Sequence, residues 1–222
     1  MISLAARFRF LALLVSLVLS VVGGASAARG DILVRYDFAV PTANPMERTG
    51  PGFAPGIIDP DVDATDVSLS DTLPVPGEAF ILDRDPAYGR PVLRIDPGDG
   101  ASSAAAAVAG GKYFEFTVMA SPGFVLAPES LTFLSARGGG AEPRGWVLRS
   151  SADGFASNID SQPVPSQRPD LVTFIVDLSN DVFQGVQAMT FRIYSFVPSG
   201  GQSVEYVDVT LNGDVILGGS LD

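Results

Sequence analysis

Trp146-Val-Leu-Arg-Ser-Ser-Ala-Asp-Gly-Phe155 is the stretch that decides the fold class. Trp146 to Ser150 is a strand-like run. Ser-Ser-Ala-Asp-Gly then reads as a tight turn, and the chain is expected to resume as a strand at Phe155. Gly154 supplies the positive φ such a turn requires, and the Asp153 carboxylate can accept backbone N–H groups inside it. Trp146, the single Trp of the chain, shares a strand face with Leu148, which places it in the core or at its margin. The Gly-rich segment 137–145 before it leaves a second reading, an aromatic platform at a loop edge.

The pattern repeats outward from this hairpin. Tyr113-Phe-Glu-Phe-Thr-Val118 alternates, with Phe114, Phe116 and Val118 inward and Tyr113, Glu115 and Thr117 outward. Leu131-Thr-Phe-Leu134, Val172 to Leu178, Phe191 to Phe196 and Val204 to Leu211 follow, separated by turn residues. Upstream, Ile32 to Phe38 reads as a first strand. From 41 to 111 the chain is Pro/Gly-rich, with short strands expected at Phe80-Ile-Leu82 and Val92-Leu-Arg-Ile95. Ala104 to Ala109 reads equally as a short helix or a short strand before Gly110-Gly111. This spacing predicts an all-β fold: one antiparallel β-sandwich domain of the jelly-roll type, covering residues 28–222 with its regular strands between 113 and 215.

Residues 1–27 read as a secretory signal peptide. Arg7 and Arg9 precede an apolar run from Phe10 to Val22, and Ala25-Ser-Ala27 fits the small-residue cleavage site. The run is shorter than the roughly 20 residues a spanning helix needs. Export and no membrane association after cleavage are expected.

Composition excludes most catalytic chemistries. With no His and no Cys, neither a Ser-His-Asp nor a Cys-His nucleophile can be assembled, and zinc lacks its usual ligands. Lys112, the only Lys, has no Ser-x-x-Lys context. Gly138-Gly-Gly140 lacks the Gly-Lys-Ser ending of a phosphate loop. A net charge of −11 argues against nucleic acid, whose phosphates require basic clusters. Stability must come from the core, since no disulfide can form.

The order of Tyr36-Asp-Phe, Tyr113-Phe-Glu-Phe-Thr-Val, Leu131-Thr-Phe, Val147-Leu-Arg-Ser-Ser-Ala-Asp-Gly-Phe, Phe191-Arg-Ile-Tyr and Val207-Asp-Val-Thr-Leu-Asn-Gly resembles that of exported bacterial proteins of the PEP-CTERM-sorted type. Their sandwich is akin to carbohydrate-binding modules. The resemblance covers most of residues 32–215 and implies a cell-surface or extracellular-matrix component without an assigned activity. The sequence ends at Val215-Ile-Leu-Gly-Gly-Ser-Leu-Asp222 with no Pro-Glu-Pro signature, so release into the periplasm or medium is expected.

Three sets of residues could carry function. Strand phase sets Glu115, Arg149, Arg192, Tyr194 and Tyr206 on outward faces, where Tyr rings beside Arg and carboxylates can stack on and fork onto a sugar; ordinary cross-strand pairing is the other reading. Coverage of that face by the 41–111 segment would rule out glycan binding there. The resemblance also implies a structural calcium held by Asp37 and Asp208, unless these acids pair with Arg side chains; no organic cofactor is implied. Asp59-Pro-Asp-Val-Asp63 matches the start of a calcium loop, but Ala64 and Ser70 stand where Gly and a bidentate acid are needed, and a solvated acidic turn is the favoured reading. The expected function is non-catalytic, with a polysaccharide or cell-surface polymer as partner. A structural or adhesive module for another protein is the alternative, and a two-carboxylate glycoside hydrolase a distant third.

Overall fold

Two antiparallel sheets face each other across one large apolar cluster. The computed structural model describes residues 31–38, 53–71, 84–85, 89–98, 100–140, 142–198 and 203–218. The expected signal peptide and the strand expected at Phe80-Ile-Leu82 lie outside the described residues. In chain order the early strands are β1 (Asp31–Tyr36), β2 (Ile57–Ile58), β3 (Val62–Ala64), β4 (Ser68–Leu69), β5 (Arg84–Asp85), β6 (Arg90–Pro91) and β7 (Leu93–Ile95). A short helix, α1 (Ala104–Ala109), follows. The longer strands are β8 (Tyr113–Ala120), β9 (Phe124–Arg137), β10 (Gly145–Ser150), β11 (Asp160–Pro163), β12 (Val172–Asp177), β13 (Ala188–Phe196) and β14 (Val204–Leu217).

The first sheet runs β12-β9-β14-β1-β2, with β7 also on β14; the second runs β11-β10-β13-β8-β3, with β4 also on β8. From β8 onward the chain crosses repeatedly between the two sheets, as a jelly-roll sandwich requires. Their inner faces interdigitate through aromatic residues. Phe133 lies 5.0 Å from Trp146, 5.5 Å from Phe174 and 5.7 Å from Tyr206, and Phe116 lies 4.9 Å from Tyr36 (ring centroids). Trp146 has no exposed surface, which settles it as core and not as a platform.

The expected phase holds along β8, where Phe114, Phe116 and Val118 are buried. Two long strands depart from it. Along β9, Leu126 and Pro128 are buried and then Leu131, Phe133, Ser135 and Arg137, so burial passes from even to odd positions at Glu129. Pro128-Glu129 is a bulge within β9, where the β14 register slips between Asn212 and Gly213. On β14 the slip falls between Val207 and Thr210, where Asp208 takes φ 50°. Two residues then oppose one, and every side chain beyond changes face.

Ala104–Ala109 resolves as helix because Ser103 caps it, its side chain accepting from the Ala106 amide at 3.2 Å, and because Ala favours helix where no larger side chain competes. Its small residues let it lie close on the outer face of the second sheet. Ala101 and Ala107 are buried there with Val147, Tyr194 and Phe196.

Candidate functional site

The Ser-Ser-Ala-Asp-Gly segment folds as its chemistry dictates. Ser150 caps a single 3-10 turn, Ser151–Asp153, by accepting from the Ala152 amide, and Gly154 takes the left-handed conformation at φ 69°. Asp153 accepts from the amides of Ala156 and Ser157 at 3.1 and 2.8 Å. Burial nudges this carboxyl up, but the bonds from Ser157 and Ala156 outweigh it and hold the group below the usual range. The chain does not resume as a strand at Phe155, as expected, but at Asp160, because Phe155 also takes a positive φ of 63°.

Phe155 is placed against Arg192 by this turn. The Arg192 guanidinium carbon stands 3.8 Å from the Phe155 ring centroid and 4.4 Å from that of Tyr113. Arg192 Nε donates to Glu115 Oε2 at 2.8 Å. Register explains the convergence: Arg149 opposes Arg192 and Arg192 opposes Glu115, so three strands present one row on the outer face of the second sheet. Arg149 ties down the loop that carries Phe155, donating from Nε to Asn158 Oδ1 and from an Nη to the Phe155 carbonyl, both at 2.8 Å. Desolvation favours the neutral form of Arg192, but its Glu115 bond wins and the guanidinium is held the more firmly charged. The Tyr113 phenol is pushed up by burial first and by Glu115 next. The cluster is reachable: the Arg192 and Glu115 side chains keep 27% and 30% of their surface.

Glu115, Arg149 and Arg192 are therefore brought together, and two other expected members are not. Tyr194 lies on the same face but beneath α1, only 4% exposed, with its ring 5.1 Å from Tyr113. Tyr206 points into the core, fully buried, because the expected phase for β14 applies only after the Asp208 bulge. Its hydroxyl bonds Ser195 Oγ at 2.7 Å, and burial pushes the phenol well up. Sequence reasoning missed Phe155 and Asn158. The Asp-Gly-Phe turn just after Arg149 was the available signal for Phe155.

Asp37 and Asp208 do not present a calcium cradle. Asp208 gives one oxygen to Arg35 at 2.9 Å and the other to Arg90 at 2.6 Å, so its charge is matched by two guanidinium groups. The Asp37 carboxylate packs against Gly56, where a Cβ would fall 2.6 Å from Oδ2. Among the described residues no three acids are grouped to hold a metal ion. The acidic run at Asp59 is a turn, with Asp59 Oδ1 accepting from the Asp61 amide at 2.8 Å ahead of β3. A catalytic carboxyl pair from Glu115 and Asp208 is also ruled out by placement. They occupy opposite outer faces of two sheets that pack about 10 Å apart at their mid-planes. Each is paired to Arg.

No protein-family profile and no curated protein matches this chain. Solved structures that align with this chain include a cleaved adhesin domain of Lys-gingipain from Porphyromonas gingivalis, at 12% identity and TM-score 0.37, covering 70% of this chain and 93% of that one. An arabinose-bound α-L-arabinofuranosidase aligns at 11% identity and TM-score 0.43, over 82% of this chain and 27% of its own. The N-terminal cellulose-binding domain of Cellulomonas fimi β-1,4-glucanase C aligns at 10% identity and TM-score 0.30, over 57% and 80% respectively. Among the described residues no helix is long and apolar enough to cross a membrane.

Proposed function

We propose that this is an exported, non-catalytic binding protein of the bacterial surface or matrix, folded over 28–222 as one sandwich domain, that engages a polysaccharide through the outer face of its second sheet. The observation that carries the reading is the Arg192 guanidinium set between the Tyr113 and Phe155 rings and bonded to Glu115. A sugar presents hydroxyl groups that donate and accept, and C–H faces that stack on rings. A guanidinium fork, a carboxylate and aromatic rings side by side supply each counterpart. The half of the row under α1 is closed, so the ligand contacts the Arg149–Arg192–Glu115 end alone. Tyr194 acts there by supporting Tyr113 from below.

The test is affinity electrophoresis of the purified protein through gels containing neutral or acidic polysaccharides. Retardation by at least one polymer is expected, and Arg192→Ala should abolish it while far-UV circular dichroism stays unchanged. Equal retardation of the variant would retire this face as the site. The second reading, an adhesive module for another protein, is favoured by a different observation: a long, unprotected strand at the edge of the first sheet.

A further inference from the structure

Among the described residues the two facing sheets leave four edges, and three are short or blunted. β2 and β4 have two residues each and β3 has three, while β11 has four and ends in Pro163. β12 differs. It runs six residues, Val172-Thr-Phe-Ile-Val-Asp177, in unbroken register with β9, and carries no Pro, no Lys or Arg and no bulge. Ile175, at its centre, is 65% exposed. Its one charged residue, Asp177, stands at its end, so along the body of the strand no charge, Pro or bulge keeps the edge from pairing.

The direction of its free backbone groups follows from one bond. The Leu178 amide donates to the Glu129 carbonyl on β9 at 2.8 Å. Alternation along an antiparallel strand then turns the N–H and C=O of Val176, Phe174 and Val172 toward β9, and those of Thr173, Ile175 and Asp177 toward the open edge. Across the gap between the sheets, Gln162, Pro163 and Pro165 form the far wall of an open groove of about 540 Å³ whose near wall is Val172–Ile175. The neighbouring sheet thus does not fold over the edge.

We propose that β12 is a homodimer interface: it pairs antiparallel with β12 of a second copy about a two-fold axis at Ile175. The strand's own side chains identify the partner. Run against itself in this register, Ile175 meets Ile175 of the second copy, and Thr173 meets Asp177, a hydroxyl donor opposite a carboxylate that has acceptor capacity beyond its bond from the Ser179 amide. Slipping by two residues sets Ile175 against Asp177 or Thr173, and slipping by four in one direction sets the two Asp177 carboxylates against each other. The symmetric register is the one in which apolar meets apolar and no like charges are opposed. Pairing would join the two first sheets into one continuous sheet and leave the Arg192 face of each copy open.

The chain has no Cys, which makes the test direct. Sedimentation velocity over a concentration series, at about 0.15 M salt where surface repulsion is screened beyond about 8 Å, should show a reversible dimer, and Ile175→Lys should be monomeric at concentrations where the parent is mostly dimeric. Under mild oxidation Ile175→Cys should give a covalent dimer. Thr173→Cys should not, because its symmetry mate lies four residues along the strand, about 13 Å away, beyond the roughly 7 Å limit of a disulfide. A parent that stays monomeric throughout, or equal crosslinking of the two Cys variants, overturns the proposal.

Discussion

The two outer faces of the sandwich use the same chemical pair to different ends. On the first sheet, Glu205 has no exposed surface; it accepts from Arg94 Nε at 2.8 Å, with Arg168 at 4.0 Å. Gly138 packs so closely above it that a Cβ would come within 3.0 Å of Glu205 Oε1. On the second sheet, Glu115 and Arg192 make the same 2.8 Å bond with about a quarter to a third of each side chain in water. A carboxylate sealed beneath loops must keep its partner or unfold the region around it. A carboxylate at an open row can exchange part of its bonding for a ligand. Burial, not residue type, separates scaffold from candidate site.

The largest expected effect tests the sealed pair. Glu205→Ala removes the fully buried carboxylate that accepts from Arg94 Nε and should cost about 3–5 kcal/mol in urea unfolding; a loss under about 1 kcal/mol would place Glu205 with the exposed pairs. Next comes Tyr206→Phe, which strips the buried Ser195 hydroxyl of its partner. It should cost about 1–3 kcal/mol and leave polysaccharide retardation untouched, and weakened binding would return Tyr206 to the site. Glu115→Gln should change stability by less than about 1 kcal/mol yet reduce retardation; a large stability loss with binding intact would make the open pair as structural as the sealed one. The smallest effect is on pH. Asp153 titrates lower in the folded state than in the unfolded chain, so the stability it adds is present above the unfolded value, about 3.9, and is lost as pH falls through the folded value. Asp153→Asn should therefore flatten the acid limb of the stability profile, measured by thermal melts stepped down in pH, and leave neutral-pH behaviour nearly unchanged.

Strand alternation alone reveals much of this architecture. Phe114, Phe116, Val118, Phe191 and Ile193 are buried where a period of two puts them, and Glu115 meets Arg192 because both lie on the other face. Tyr206 was misplaced for a physical reason. Nothing in Tyr-Val-Asp-Val-Thr announces that Asp208 will adopt a left-handed backbone, a conformation that Asp tolerates better than most non-glycine residues but takes at few positions. Tyr194 lies on the expected face, but its cover comes from Ala104–Ala109, whose helical state depends on a Ser103 cap that local propensity leaves balanced against a strand. Phe155 escaped notice because a positive φ after a glycine already at positive φ is a property of the folded turn, not of the letters.

The bulges at Asp208 and Glu129 also bear on which genetic changes this protein can absorb. Each long strand carries one extra residue, and the bulge absorbs it so that the inward residues on either side stay in phase with the core. Replacing Asp208 removes ion pairs to Arg35 and Arg90 but preserves the parity of the strand, so Val209 and Leu211 still face inward. Deleting it would leave Val207 followed directly by Val209, so plain alternation keeps Tyr206, Val209 and Leu211 inward and Thr210 outward, with Val209 opposite Phe133 of β9. At these two positions the strands can lose one codon and still keep their faces.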